Sequence, residues 1–288
     1  MKKLIFFIRS IRWFEIGVRM GGPLTAMLIV LPAHTRLHLM KMGLALLAFF
    51  FGWVHGYTLN EWGGYASDRL DPRRMDKPLI TGNISTREML GFSIVNAFFC
   101  VVLYAFLNPW LLIIVFFDIA IGVLYDHPKT ALKAIPFASF AVLFIVSVND
   151  VLLGWLIFST EPVKGIIFGI FFGILGLAGI SFHEAGDYES DRDAGIKTNA
   201  VRFGKKRILT AGFVFYTLSC FYFILLTILR IIPSDLYPVF IVTYPVYVYI
   251  FYRCIKAGAT SAAIHLLIKR YRLLYGCIGL YLLIQLWL

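Results

Sequence analysis

Long apolar stretches separated by short polar connections dominate this chain. In 44–54 and 166–182, for example, apolar residues follow one another almost without the 3.6-residue alternation that is typical of a half-buried helix. With its flanks, each stretch is long enough to cross about 30 Å of hydrocarbon as a helix of roughly 20 residues. The pattern predicts nine membrane helices, at 16–32, 42–61, 88–107, 109–125, 134–155, 163–185, 208–229, 236–253 and 271–287.

The composition supports this prediction. Hydrophobic residues make up 60% of the 288 residues and charged residues only 15%, which is too little charge to cover the surface of a soluble domain of this length. No connection is long enough to separate two domains. We therefore expect an all-α, polytopic membrane protein, with residues 1–288 in one helical bundle and the lipid bilayer as its solvent.

The basic residues are distributed unevenly over the predicted connections. With nine spans and the N-terminus inside, all but four of the 27 basic residues fall on the cytoplasmic side, as the positive-inside rule predicts. The formal net charge of +11 is then mostly a charge of that side. It suits anionic headgroups or a diphosphate substrate, and nothing in the sequence suggests nucleic acid.

Two cytoplasmic connections, 62–87 and 186–207, are longer and more polar than the others. They follow the second and sixth predicted spans and therefore occupy matching positions four helices apart, which suggests a weak internal duplication. We expect these two loops to cover the active site.

The first polar loop begins with a regular run of polar positions. Asn60, Gly64 and Asp68 are spaced i, i+4 and i+8, so they share one helix face if the second span continues past the membrane surface. Asp71, Asp76 and the stretch Lys77-Pro78-Leu79-Ile80-Thr81-Gly82 follow.

The second polar loop begins with Glu184, Asp187 and Asp191, which lie about one turn apart on a helix. Carboxylates repeated on one face repel one another by a few tenths of a kcal/mol per pair, so a cation should offset them. Oxygen ligands favour magnesium, which a few carboxylates and substrate phosphate oxygens usually hold. Basic side chains in the same loops suit a diphosphate. The alternative is that both loops are ordinary solvated turns with positive-inside charge.

Tyr125 and Lys129 are four residues apart at the end of the fourth span, so a hydroxyl and an ammonium can point the same way. The alternative is an interfacial tyrosine beside a lysine that reaches the membrane surface.

In this order, the motifs resemble those of the UbiA superfamily of intramembrane prenyltransferases. That family has nine transmembrane helices, an N-x-x-x-D-x-x-x-D motif after helix two and a D-x-x-x-D-type motif after helix six. Here Asp187-Tyr188-Glu189-Ser190-Asp191, with its tail to Gly204, resembles the second motif. The segment 77–82 resembles the family's R-P-L-x-S-G stretch, and Tyr125-x-x-x-Lys129 its Y-x-x-x-K element.

One position departs from the family pattern, because the middle aspartate of the first motif is Gly64 here. An N-x-x-x-G/A-x-x-x-D pattern is similar to the branch of the superfamily that acts as terpene cyclases. The resemblance thus implies an Mg²⁺-dependent enzyme that ionises a prenyl diphosphate, C15 or C20, and cyclises the allylic cation. The residues implied are Asp68, Asp187, Asp191, Tyr125 and Lys129 in catalysis, Lys77, Arg73, Arg192 and Lys197 in substrate binding, and Asn60, Asp68, Glu184, Asp187 and Asp191 in metal binding.

Two alternatives share parts of this pattern. A prenyltransferase that moves the prenyl group onto an aromatic quinone precursor or a polar lipid would use the same diphosphate-binding residues. A membrane transporter that uses intramembrane acids belongs to another class, and diphosphate turnover would separate it from both enzymes.

Overall fold

The computed structural model describes residues 2–69 and 74–288, which form helices joined by turns. The all-α prediction is therefore confirmed. Short 3₁₀ turns lie at Pro109–Leu111, Leu132–Ala134 and Ser234–Leu236. In chain order the α-helices are α1 Lys2–Ser10, α2 Trp13–Ile29, α3 Arg36–Gly63, α4 Tyr65–Asp68, α5 Thr86–Leu107, α6 Leu112–Asp126, α7 Ala138–Trp155, α8 Pro162–Gly186, α9 Tyr188–Asp193, α10 Asn199–Phe203, α11 Lys205–Ile228, α12 Pro238–Lys256 and α13 Ser261–Trp287.

Within the described residues, seven helical segments have the length and apolar composition needed to cross a membrane. They coincide with the second to eighth predicted spans, so the polytopic membrane fold is confirmed but the count of nine is too high by these criteria. The first predicted span corresponds to α2, which has only 17 residues and carries Glu15 and Arg19. The last corresponds to the end of α13, a helix of 27 residues with Lys269, Arg270 and Arg272 near its middle.

The chain forms two compact units. The first unit comprises Met1–Met20 and Ala33–Lys133, and the second comprises Gly21–Pro32 and Ala134–Leu288. The first polar loop thus belongs to the first unit and the second polar loop to the second unit. One domain over residues 1–288 stays a prediction.

In the first unit, α3 packs along α5 and against α6. The backbones of α3 and α6 come very close at Gly63, where a Cβ atom would lie only 1.9 Å from the carbonyl oxygen of Asp126. Phe6 and Phe7 of α1 pack, together with Trp62 and Tyr65, against a small core of Leu79, Ile84 and Met89. The first polar loop is therefore fixed at both ends by packing.

In the second unit, α8 packs against α7, α11 and α13. Glycines allow the closest approaches, since a Cβ at Gly169 would lie 2.9 Å from the carbonyl oxygen of Val148. Phe168, Phe171 and Phe182 of α8 are almost completely buried. The second polar loop thus follows one of the best-packed helices of the unit.

We predict that Gly63→Ala destabilises the protein, because the added methyl group cannot fit without separating α3 from α6. Overpacking of this kind typically costs about 1–3 kcal/mol. Gly43→Ala in the same helix is the matched control, since nothing lies within 4 Å of its Cβ position. Thermal unfolding in detergent micelles measures both variants, and equal melting temperatures would contradict the close approach at Gly63.

Candidate functional site

The two polar loops begin with similar sequences. When residues 60–69 are aligned with 183–192, six of the ten positions are identical. The identical pairs are Glu61/Glu184, Gly63/Gly186, Tyr65/Tyr188, Ser67/Ser190, Asp68/Asp191 and Arg69/Arg192. We call 60–69 the first acidic segment and 183–192 the second acidic segment. In this alignment Gly64 corresponds to Asp187.

Both acidic segments interrupt a helix at the same aligned position. Gly64 ends α3 with φ −88° and ψ 0°, and Asp187 ends α8 with φ −95° and ψ 5°. Each donates its backbone N–H to the carbonyl four residues earlier, at 2.8 and 2.9 Å, and accepts from Asp68 and Asp191 in turn at 2.9 Å. The helical register therefore continues through both interruptions, and the predicted i, i+4 spacing of the polar side chains is kept.

The side chains of the two segments also repeat their contacts. The hydroxyls of Ser67 and Ser190 each donate to the carbonyl of the interrupting residue at 2.9 Å. The arginine that ends each segment lies near the ring of that segment's tyrosine, 5.6 Å from the centroid of Tyr65 and 5.7 Å from that of Tyr188. Sequence and local geometry together indicate that the segments are copies of one unit of structure.

In the first acidic segment, two buried carboxylates share a lysine. The Lys77 ammonium lies 3.0 Å from Glu61 Oε1 and 3.1 Å from Asp68 Oδ2. Arg74 also pairs with Asp68, and Arg12 lies 3.7 Å from Glu61 Oε1. Because buried carboxylates are costly without opposite charge, the ion pairs of Arg74 and Lys77 hold these two residues against the first acidic segment.

A second charged cluster lies beside the first acidic segment. Asn60 donates its side-chain amide to Asp126, the last residue of α6. The Lys133 ammonium lies 3.1 Å from the same oxygen of Asp126. Asp126 is only 5% exposed, so this carboxylate is buried between an amide and an ammonium.

In the second acidic segment, the buried carboxylate of Glu184 accepts hydrogen bonds from donors on neighbouring parts of the chain. Ser139 Oγ and Asn199 Nδ2 each donate to Oε1 at 3.0 Å, and the backbone N–H of Ala200 donates to Oε2 at 3.2 Å. Asn199 in turn accepts from the backbone N–H of Phe137 at 2.8 Å. Glu184 thus connects the end of α8 to the start of α7 and to α10.

Asp187 and Asp191 lie one helical turn apart and are partly exposed. Between them, Glu189 accepts from the Lys205 ammonium at 2.6 Å. This hydrogen bond holds the pKa of Glu189 below its usual range, since it stabilises the ionised carboxylate. Glu189 therefore carries a negative charge at neutral pH.

The other predicted site residues have separate surroundings. Tyr125 is half-buried, and Lys129 and Lys197 are exposed. Arg192 is also exposed and donates to Asp193 at 3.1 and 3.2 Å. Arg73, together with Asp71, lies outside the described residues.

The described side chains do not form a complete set of protein ligands for Mg²⁺, but two carboxylates are enough for the way in which Mg²⁺ usually binds. Within 2–69 and 74–288, no three His, Cys, Asp or Glu side chains form a metal-binding group. Mg²⁺, however, usually takes one or two carboxylates and completes its shell with water and phosphate oxygens. Asp187 and Asp191 fit that requirement, whereas Asp68 faces two cations.

Sequence analysis missed several residues of these clusters. The sequence does not identify Asp126 as the partner of Asn60, Lys133 as the partner of Asp126, or Ser139 and Asn199 as partners of Glu184. The alignment of the two segments would have drawn attention to Glu61, which corresponds to Glu184. The partners come from other helices, and no local spacing identifies them.

Comparison with known proteins gives consistent results. The model of the UbiA prenyltransferase family matches residues 22–273. A 4-hydroxybenzoate octaprenyltransferase from Shewanella piezotolerans is 24% identical over 220 residues, covering 70% of this chain and 73% of that protein. One from Hydrogenovibrio crunogenus is 26% identical over 211 residues, covering 68% and 70%.

Solved structures share the fold. A UbiA homolog from Archaeoglobus fulgidus bound to GPP and Mg²⁺ superposes with a TM-score of 0.77 at 20% identity, covering 100% of both chains. A digeranylgeranylglyceryl phosphate synthase superposes with a TM-score of 0.73 at 19% identity, covering 99% of each chain. The family match spans both acidic segments, and the chain belongs to the UbiA prenyltransferase family.

Proposed function

We propose that this protein is an Mg²⁺-dependent prenyltransferase that moves a prenyl group from a prenyl diphosphate onto an aromatic acceptor. The observation that carries the proposal is the family match over residues 22–273, which includes both acidic segments. The names of the relatives support an aromatic acceptor such as 4-hydroxybenzoate. A polar lipid is the other acceptor class, in keeping with the digeranylgeranylglyceryl phosphate synthase that shares the fold.

The proposed roles follow from the charges of each segment. Asp187 and Asp191 of the second acidic segment are the proposed Mg²⁺ ligands, and Asn60 and Asp68 of the first acidic segment are the metal-binding residues that the family resemblance adds. Bound Mg²⁺ would neutralise charge on the diphosphate as it leaves. Basic and hydroxyl groups would bind the diphosphate oxygens by charge-assisted hydrogen bonds, and the proposed set is Lys77, Arg73, Arg192, Lys197, Lys129 and Tyr125.

The surroundings of the reaction follow from the membrane fold. Apolar helices exclude water, so an allylic cation formed from the substrate survives until an acceptor attacks it. C15 or C20 chains remain the proposed substrate lengths. We also propose that the N-terminus and both acidic segments face the cytoplasm, in keeping with the positive-inside distribution of charge.

Terpene cyclisation is the second candidate function, and Gly64 is the observation that favours it. A cyclase would ionise the same diphosphate without needing an acceptor. The family description and the names of the relatives support transfer better than cyclisation.

We predict that the purified protein, with Mg²⁺ and a C10, C15 or C20 prenyl diphosphate, forms a prenylated product only when an aromatic or polar-lipid acceptor is added. EDTA should abolish the reaction. Mass spectrometry of the products provides the measurement. Cyclic hydrocarbons or alcohols formed without acceptor would instead establish the cyclase, and the absence of turnover with every diphosphate would favour a transporter.

We further predict that Asp187→Asn and Asp191→Asn each lower kcat by about 10²–10³-fold, the loss typical when one electrostatic stabiliser of a transition state is removed. Asp235→Asn is the matched control, because Asp235 is exposed and lies outside both acidic segments. Steady-state kinetics at saturating Mg²⁺ compares the three variants. Wild-type kcat in the first two would contradict the proposed roles.

Glu184 has a different proposed role, because its three protein donors already satisfy its carboxylate. We propose that it positions α10 and the start of α7, and that it does not bind the metal as the family resemblance implied. Glu184→Ala should lower the free energy of unfolding by about 1–3 kcal/mol, since buried donors lose their acceptor. Thermal unfolding measures this loss.

The conservative variant separates positioning from metal binding. Glu184→Gln keeps one acceptor oxygen, so we expect an unchanged Mg²⁺ concentration for half-maximal turnover together with a lower melting temperature. Glu161→Ala is the control, since Glu161 is exposed and pairs only with Lys164 among the described residues. An increased Mg²⁺ requirement at an unchanged melting temperature would instead make Glu184 a metal ligand.

A further inference from the structure

Gly64 leaves a gap in the first acidic segment where the second has the carboxylate of Asp187. A Cβ atom at Gly64 would lie 3.5 Å from Asp68 Oδ1 and 3.7 Å from the Lys133 ammonium. An ammonium thus lies beside the position from which the missing carboxylate would extend. Lys133 lies in the 3₁₀ turn Leu132–Ala134 that follows α6, in the same compact unit as Gly64.

Lys133 is oriented by a single carboxylate among the described residues. Its ammonium lies 3.1 Å from Asp126 Oδ1, and Asn60 donates to the same oxygen. The Asp126 side chain is 7% exposed, whereas that of Lys133 is 27% exposed. An ammonium has three N–H donors, so one bond to Asp126 is compatible with a second bond to an anion from solvent.

Several cations lie near this position. Among the described residues, Arg12 pairs with Glu61, Lys77 with Glu61 and Asp68, Arg74 with Asp68, and Lys133 with Asp126. Because Gly64 has no side chain, position 64 adds no carboxylate to these pairs. The Lys133 ammonium therefore meets no carboxylate from position 64 that would compete with an anion.

We propose that Lys133 binds a phosphate oxygen of the prenyl diphosphate and stabilises the leaving diphosphate through a direct charge-assisted hydrogen bond. This inference rests on the proposed function. In this proposal, Gly64 and Lys133 act as a pair. The glycine removes a carboxylate that would compete for the ammonium, and the lysine supplies positive charge in place of a metal ion that such a carboxylate would hold.

The competing explanation is that Lys133 only neutralises Asp126. The two roles differ in what happens when Asp126 is neutral. If the lysine serves only the buried carboxylate, it becomes dispensable in an Asp126→Asn background. If the lysine binds phosphate, its removal weakens diphosphate binding in that background as well.

The test measures binding of farnesyl thiolodiphosphate, which cannot ionise readily, to the purified protein with Mg²⁺ by isothermal titration calorimetry. We expect Lys133→Met to weaken binding about ten- to a hundredfold, the range typical of a hydrogen bond between charged groups. Asp126→Asn/Lys133→Met should bind the analogue more weakly than Asp126→Asn does, by a similar factor. The double variant leaves no unpaired buried charge, so it carries the test even if Lys133→Met alone fails to fold.

Lys164→Met provides the matched control, because Lys164 also pairs with one carboxylate, at 2.9 Å, and lies at the start of α8. It should bind the analogue as the wild type does. Equal affinities of Asp126→Asn and Asp126→Asn/Lys133→Met would overturn the proposed phosphate contact while leaving the prenyltransferase proposal intact. Failure of the wild type to bind C10, C15 and C20 analogues would instead overturn the proposed function.

Discussion

Burial of carboxylates at the ends of apolar helices is the constraint on which the polar parts of this structure depend. Glu61, Asp68, Asp126 and Glu184 are each less than a tenth exposed. A carboxylate in such surroundings is stable only when donors or cations reach it. Described residues later in the chain supply them, since Arg74 and Lys77 reach the first acidic segment and Asn199 and Ala200 reach Glu184.

The two acidic segments satisfy this constraint in different ways. Glu61 and Glu184 occupy the same aligned position, and each is bonded to residues about sixteen positions further along the chain, Lys77 for one and Ala200 for the other. The first segment uses cations and the second uses neutral amide and hydroxyl donors. As a result, the first is rich in positive charge near its acids, whereas the second keeps an acidic character.

Much of the fold could be predicted because it follows from local patterns. Apolar stretches predict seven of the spans with ends within six residues of the observed ones. The i, i+4 spacing predicts the side chains that share a turn in each acidic segment. The partners of these side chains depend on contacts between helices. Asn199 reaches Glu184 across a turn, and Asp126 reaches Asn60 from another helix. One sequence contains no periodicity that reports such pairs.

The hydropathy pattern predicts the first and last spans less well than the others. The last predicted span was placed on the apolar end of α13, yet the helix begins ten residues earlier, at Ser261, and includes a basic cluster near its middle. A hydropathy pattern detects the apolar part of a helix and not its full length. The same effect explains α2, in which charged residues occupy the first turns and shorten the apolar part.

Gly64 has a different meaning once its surroundings are known. From sequence alone, a missing carboxylate suggests a weakened metal position and hence a particular branch of the family. In the structure, the same position lies beside the Lys133 ammonium. In the proposed mechanism, the loss of an acid beside a lysine would change how the charge on a diphosphate is neutralised, and this step would be common to transfer and cyclisation. What the allylic cation meets afterwards depends on the apolar side chains that surround the prenyl chain. A glycine beside the proposed diphosphate-binding charges therefore says little about which product forms.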